Sequence, residues 1–264
     1  MKHLLLLIIL SFQTLLPAQE LAIPVKFLSN TKNGPQRYLG TDAFGWKYTI
    51  VNNEFRKEKD GRALKYRNLS LGEIYKADLQ NPLQIVLFYK KFNTVVLLDN
   101  QLTETARINF SNINEPLIAE AVGLASQNRL WVYDLTTQKL GLYYLGQGNF
   151  KTITPPFSDT LKYYQNDYNY FYWIDQSNNC FMANLFGSVS SLGNVPAYDQ
   201  VQILSNNEII IKKDSKLYFY NFEKQTQTPI AIIEKSFESF QYTAQILSIF
   251  TDAEINTYKI TLPK

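Results

Sequence analysis

The residues of this sequence that could do chemistry are almost all carboxylates, amides and lysines. Asp42, Asp78 and Glu120, with Gln165 beside them in type, fall near the ends of short apolar segments. Oxygen donors of this kind suit a calcium ion, which takes six to eight of them. In pairs about 5 to 10 Å apart, carboxylates can also work as acid and nucleophile in glycoside hydrolysis. Four polar residues are few for a calcium shell, so the simpler expectation is that they solvate a water-filled channel.

Imidazole and thiol chemistry is nearly absent. The single histidine is His3, and the single cysteine is Cys180. Serine hydrolase triads and cysteine–histidine pairs need an imidazole base, and zinc sites draw on Cys and His ligands. Both classes are therefore excluded for the chain after its N-terminal segment. One cysteine cannot form an intramolecular disulfide, and Cys180 is expected to be a small buried apolar residue.

Two further groups suggest binding. Lys57, Lys59, Arg62, Lys90 and Lys91 cluster in the first third of the sequence, and Asp134, Asp175, Asp214 and Asp252 follow later. If all sit on one face, that face is basic on one side and acidic on the other, which can orient a protein partner. The run KYYQNDYNYFYWID offers Tyr164, Asp167 and Tyr168 as surface contacts to a glycan or peptide, with Tyr172 and Trp173 reserved for packing.

What positions these residues is a repeat. Six segments share one plan of short strand, turn, apolar strand and polar tip. Their tips fall near Asn52, Lys91, Asp134, Asp175, Asp214 and Asp252, at gaps of 39, 43, 41, 39 and 38 residues. A third strand follows most tips, as in KLGLYY, CFMANLFG and KLYFYNF, and often a fourth, as in FKTIT and PIAII. Four short strands every 40 residues or so predict an all-β, six-bladed β-propeller of four-stranded antiparallel blades. Such sheets bury both faces against their neighbours, which fits strands apolar on both sides. The last repeat lacks an outer strand, and ELAIPVKFLSN (20–30) precedes the first repeat without a blade of its own. This N-terminal strand is predicted to close the last blade. EFRKEKDGRALKYRNLSLG is predicted to form a polar hairpin turning at Asp60-Gly61. Recurrence at equivalent positions marks the tip aspartates as turn residues rather than catalytic acids.

The chain opens with MKHLLLLIILSFQTLLPAQE, a basic start, an apolar run and a small-residue site. Residues 1–18 are expected to be a secretory signal peptide and 19–264 a single propeller domain. The apolar run is shorter than the roughly 20 residues of a membrane span, so no transmembrane segment is expected in the mature chain. Export, to the periplasm or to the cell surface and beyond, follows from that leader. The formal net charge of +3 argues against nucleic acid as a partner.

With the repeats laid out, YFYWID (170–175) resembles the tetrapeptide that names the YWTD propellers. NRLWVYD (128–134) is similar to the corresponding strand of NHL and gluconolactonase-like propellers. The leader ending PAQ and the Asn/Tyr/Lys-rich style resemble secreted proteins of the Bacteroidetes. The resemblance implies the architecture, and a lactonase metal site does not carry over to this sequence residue by residue. The alternative activity is a calcium-dependent lactonase-like or other carboxylate-based hydrolase, with Asp42, Asp78 and Glu120, near the ends of innermost strands, as metal ligands at the propeller axis. The principal expectation is a non-catalytic module without a cofactor, binding a protein or glycan partner in the envelope, such as an accessory of an outer-membrane assembly.

Overall fold

The structure is a computed structural model that describes residues 22–32, 34, 37–42 and 44–263. The predicted leader, 1–18, lies outside these residues. All the regular structure described is β apart from one 3-10 turn, Lys90–Phe92. No helix among the described residues is long and apolar enough to cross a membrane.

After an N-terminal strand β1 (Ile23–Lys32), the strands come in groups of four. The first is β2 (Arg37–Thr41), β3 (Lys47–Val51), β4 (Glu54–Lys59) and β5 (Arg62–Tyr66). The second is β6 (Lys76–Asp78), β7 (Ile85–Tyr89), β8 (Thr94–Leu98) and β9 (Glu104–Asn109). The third is β10 (Ala119–Ala125), β11 (Arg129–Asp134), β12 (Lys139–Tyr144) and β13 (Asn149–Thr152). The fourth is β14 (Leu161–Asn166), β15 (Tyr170–Asp175), β16 (Asn179–Asn184) and β17 (Val189–Asn194). Each of these groups is a four-stranded antiparallel sheet in sequence order.

The remainder is an eight-stranded sheet. It holds β18 (Gln200–Ile203), β19 (Glu208–Lys213), β20 (Lys216–Asn221) and β21 (Thr226–Ala231), then β1, then β24 (Glu254–Ile260), β23 (Ile246–Phe250) and β22 (Ser239–Thr243). As expected of the 20–30 segment, β1 pairs antiparallel with β24, from Val25 opposite Ile260 to Lys32 opposite Glu254. The parallel pairing of Ile23 and Pro24 with Ile230 and Ala231 was not foreseen, and it joins the two halves of the sheet.

The hairpins are tight because their central residues accept positive φ. Asn52-Asn53, Asp60-Gly61 and Asp214-Ser215 each place two such residues at a two-residue turn, the geometry that matches strand twist. The β4–β5 hairpin turns at Asp60-Gly61 as the sequence predicts.

Side-chain alternation then assigns each sheet face to a different neighbour. In β7, Val86 and Phe88 join the buried cluster shared with β10 and β11, while Ile85, Leu87 and Tyr89 join the one shared with β3 and β4. Trp131 and Tyr133 of β11 meet Phe171 and Trp173 of β15, and Tyr172 and Ile174 face Ile209 and Ile211 of β19. Cys180 is fully buried there, and burial pushes its thiol up to about 12. Ile210 turns the other way, toward Leu247 and Ile249 of β23. Four buried clusters thus fill the interfaces between successive sheets, and the fifth lies within the eight-stranded sheet, between β18–β21 and β22–β24. Among the described residues, β22–β24 and the β2–β5 sheet meet through a ring contact, Tyr38 with Phe250 at 5.1 Å, and a bond from Gln241 Nε2 to Leu39 O at 3.0 Å.

Glutamine side chains stitch neighbouring first strands together. Gln165 gives Nε2 to Ile203 O and takes Ile203 N–H on Oε1. Gln200 does the same with Phe240, and Gln202 with Tyr242. Each carboxamide imitates a peptide unit and satisfies backbone groups that have no strand partner on that side.

Candidate functional site

First strands β2, β6, β14 and β22 all contribute to one cavity of about 290 Å³, lined by Asp42, Lys76, Asp78, Gln80, Gln165, Asn166, Gln241 and Thr243 among others. These strands therefore converge on a common channel. In an antiparallel sheet the end of the first strand and the third–fourth turn lie at one end. The start of the first strand and the second–third turn lie at the other. The cavity opens among residues at or after the ends of first strands, here called the channel end.

Three of the carboxylate candidates are already engaged. Asp42 closes its own loop, accepting Phe44 N–H and Trp46 N–H at 2.9 Å each and the Tyr48 hydroxyl at 2.8 Å. Asp78 accepts Gln80 N–H at 2.9 Å, and Leu124 N–H and Asn166 Nδ2 at 2.8 Å each. It ties β6, β10 and β14 together. Gly123 makes room for this knot, because a Cβ there would stand 2.0 Å from Asn166 Oδ1. Glu120 starts near the opposite end and pairs with Lys90. Asp42 and Asp78 thus share the cavity and Glu120 does not. No group of three or more His, Cys, Asp or Glu placed to hold a metal occurs among the described residues.

The basic candidates do not share a face. Lys90 and Lys91 lie at the β7–β8 turn, whereas Lys59 and Arg62 flank the β4–β5 turn, at the channel end. Lys57 is not a surface residue: it is 3% exposed, its ammonium 4.6 Å from the Trp46 ring and bonded to Asn100 O at 3.1 Å. Burial, the largest effect, lowers its pKa. The acidic tips also divide. Asp134 and Asp175 are buried, Asp134 accepting N–H bonds from Ile118, Thr136 and Thr137, and Asp175 from Asn179. Their side chains cap turns, so only Asp214 and Asp252 remain exposed.

Among the aromatic candidates, Tyr164 is corrected from surface to core. It is 6% exposed and stacks on Phe171 at 5.7 Å, and burial raises its pKa far above the usual phenol range. Asp167 caps its turn through Asn169 and Tyr170 N–H at 2.8 Å each. Tyr168 is exposed, its hydroxyl 3.4 Å from Gln80 O at the cavity rim. Phe44 and Leu83 are exposed on the neighbouring first-to-second-strand loops of that end.

Sequence reading missed Lys76. Its ammonium sits 3.0 Å from Tyr164 O and 3.4 Å from the Tyr164 ring centre, reaching from β6 to β14 across the channel. Burial lowers its pKa to about 8, opposed by Asp78 and assisted by Arg37. Period-two alternation puts residues 76 and 78 on one face, so selecting Asp78 could have led to it.

A second recess of about 460 Å³, lined by Tyr38, Ser248, Thr257 and others, shares Thr41, Asp42, Gln241 and Thr243 with the channel cavity. The two adjoin, from the channel to the junction of β22–β24 with β2–β5, and are here together called the groove. At the opposite end, about 590 Å³ is enclosed by Arg37, Tyr75, Ile118, Leu135 and the pairs Lys90–Glu120 and Lys91–Glu73.

Neither a family model nor a curated protein matches this sequence. Solved structures do resemble it. Virginiamycin B lyase from Staphylococcus aureus aligns with a TM-score of 0.61 over 92% of this chain and 97% of its own, at 10% identity. Its catalytically inactive histidine-to-alanine variant with quinupristin gives 0.56 over 93% and 97%, at 11% identity. The extracellular domain of a B. thetaiotaomicron protein described as a hybrid two-component system gives 0.55 at 10% identity, over 86% of this chain and 34% of that one. These neighbours are β-propellers, and the fold of this chain is a β-propeller.

Proposed function

We propose that this protein is an exported, non-catalytic, six-bladed propeller that binds a glycan in the groove at its channel end. Six blades result when the eight-stranded sheet is counted as two, joined at Ile23-Pro24, with β1 as the outer strand of the last. The observation that carries the binding role is the pair of adjoining recesses, about 290 and 460 Å³, whose linings share the polar residues Thr41, Asp42, Gln241 and Thr243. Sugar recognition combines such polar groups with exposed rings, and Tyr168 and Phe44 stand on loops of that end.

Catalysis has less to draw on. A histidine-to-alanine variant of the S. aureus lyase is catalytically inactive, and the only histidine here is His3. Asp42 and Asp78 spend their lone pairs on protein donors, so the reading includes no resident metal. Calcium is accordingly expected to leave the melting temperature unchanged, since a ligand of the native state raises it. A rise of several degrees, reversed by chelation, would favour the metal-dependent hydrolase instead.

Oligosaccharide binding by titration calorimetry tests the site. Thr243→Trp, at an exposed position shared by both parts of the groove, should abolish binding. Tyr168→Ala should weaken it roughly tenfold, the equivalent of about 1.4 kcal/mol. Leu135→Asp, at the opposite end, should change nothing. Binding that survives Thr243→Trp, or that Leu135→Asp destroys, would move the site away from the groove.

A further inference from the structure

We infer that the channel end of the groove selects a carboxylate, carried by a uronic acid at the end of a bound glycan, through the ammonium of Lys76. The inference rests on the glycan reading and deepens it.

Lys76 is a half-buried cation without an ion-pair partner among the described residues. An ammonium has three donors. Among the described residues, the acceptor within hydrogen-bond distance is Tyr164 O, at 3.0 Å, and the Tyr164 ring face lies 3.4 Å away. No carboxylate stands within 4 Å of it among the described residues, although the cavity contains two. Asp42 and Asp78 each hold three protein donors, which fix them to their own loops and to β10 and β14. A buried charge without a partner is costly, and an arriving carboxylate would supply what the fold withholds. Of the remaining lining, Thr243, Gln80 and Gln241 keep polar capacity for the hydroxyls of a sugar ring, each glutamine having one side-chain bond, to Leu124 O and to Leu39 O.

The charged and titratable groups around Lys76 favour this assignment. Arg37 acts on it from β2 and adds positive potential, and Asp78 acts from β6 itself. Asp42 borders the same cavity from the β2–β3 loop. From β14, Tyr164 stays a neutral phenol because burial raises its pKa. Glu120 of β10, which Tyr164 senses, is paired with Lys90. Lys76 is protonated below pH 8 or so, and a bound carboxylate holds that proton more firmly. Acid selectivity should be steady at neutral pH and fall as pH rises through 8.

Calorimetry on the full chain with cellobiose and cellobiouronic acid, which differ by one carboxylate, tests the inference. Free glucuronate and acetate are run beside them. At pH 7 cellobiouronic acid should bind at least roughly tenfold more tightly than cellobiose, the gain of one charge-assisted hydrogen bond. Lys76→Met should erase that difference, and Lys76→Arg should keep part of it. Equal affinity for both sugars, or a preference that persists in Lys76→Met, overturns the inference and leaves the glycan groove standing. Binding of glucuronate and acetate without either disaccharide keeps the carboxylate site and overturns the glycan source. No binding of any of the four overturns both.

Discussion

Residue types mattered here mainly through what already holds them. Asp42, Asp78, Asp134 and Asp175 all read as chemistry in isolation, and each is filled by backbone or side-chain donors. The sequence cannot show this for Asp78, because its partners Leu124 and Asn166 are distant in the chain. Lys76 is the reverse case, a residue without motif that the fold isolates. Its depressed pKa has a stability consequence of definite sign. Between the folded value of about 8 and the unfolded value near 10.4, the unfolded chain binds the extra proton, so stability rises with pH. Lys76→Met should therefore stabilise the protein at pH 7 and lose more than half of that advantage by pH 9.5, as measured by urea unfolding at both values. An advantage independent of pH would mean that the ammonium is solvated in the native state. Packing makes a second residue-scale prediction. Trp131 and Trp173 are 0% and 3% exposed, with Trp173 stacked 4.0 Å from Phe157. Replacing either by Ala should cost about 3 to 5 kcal/mol, and near-native melting would remove both from the interface.

At the scale of the element, the strands were legible because both faces of each sheet are buried and the turns carry Asn, Asp and Gly. NRLWVYDLTTQKLGLYY gave β11 and β12, and KLYFYNF gave β20, since apolar runs between turn residues admit few other structures. What escaped was contact between elements. Lys57 looked like surface charge, yet β4 turns it inward over Trp46, and nothing local distinguishes it from Lys59. The glutamines Gln165, Gln200 and Gln202 looked like ordinary polar residues on first strands, and only register shows that each completes a neighbour's backbone. Gln165→Leu should leave Ile203 N–H and C=O unsatisfied, at about 1 to 3 kcal/mol. Because the loss lies on the channel, hydrogen exchange should rise at Ile203 and not at Ile249. Uniform exchange throughout would mean that the stitch is not local.

The whole molecule explains why the groove lies where it does. Buried clusters run from β2–β5 through to β22–β24, and the recess beside Tyr38 and Gln241 lies where β22–β24 meets β2–β5. Ring closure is therefore borne chiefly by β1, which reaches back from the N-terminal side to pair with β24 and touches β21 as well. The spacing of the repeats allowed β1 to be foreseen as a closing strand, but not the open junction, which depends on which side chains meet across it. Because β1 pairs with β24 and β21 and leads directly into β2, closure by β1 needs both the strand and its covalent attachment to β2. A circular permutant that joins the C-terminus to residue 22 by a short linker, and begins at Gly34, keeps β1 beside β24 and cuts that attachment. It should still melt cooperatively, at a temperature several degrees below the parent's. Deleting residues 22–32 leaves β24 an open edge, which invites association, and should lower the melting temperature by more than ten degrees, since each kcal/mol is worth about 2 to 4 degrees at this chain length. A deletion or a permutant that melts like the parent would show that the ring is held elsewhere than at β1.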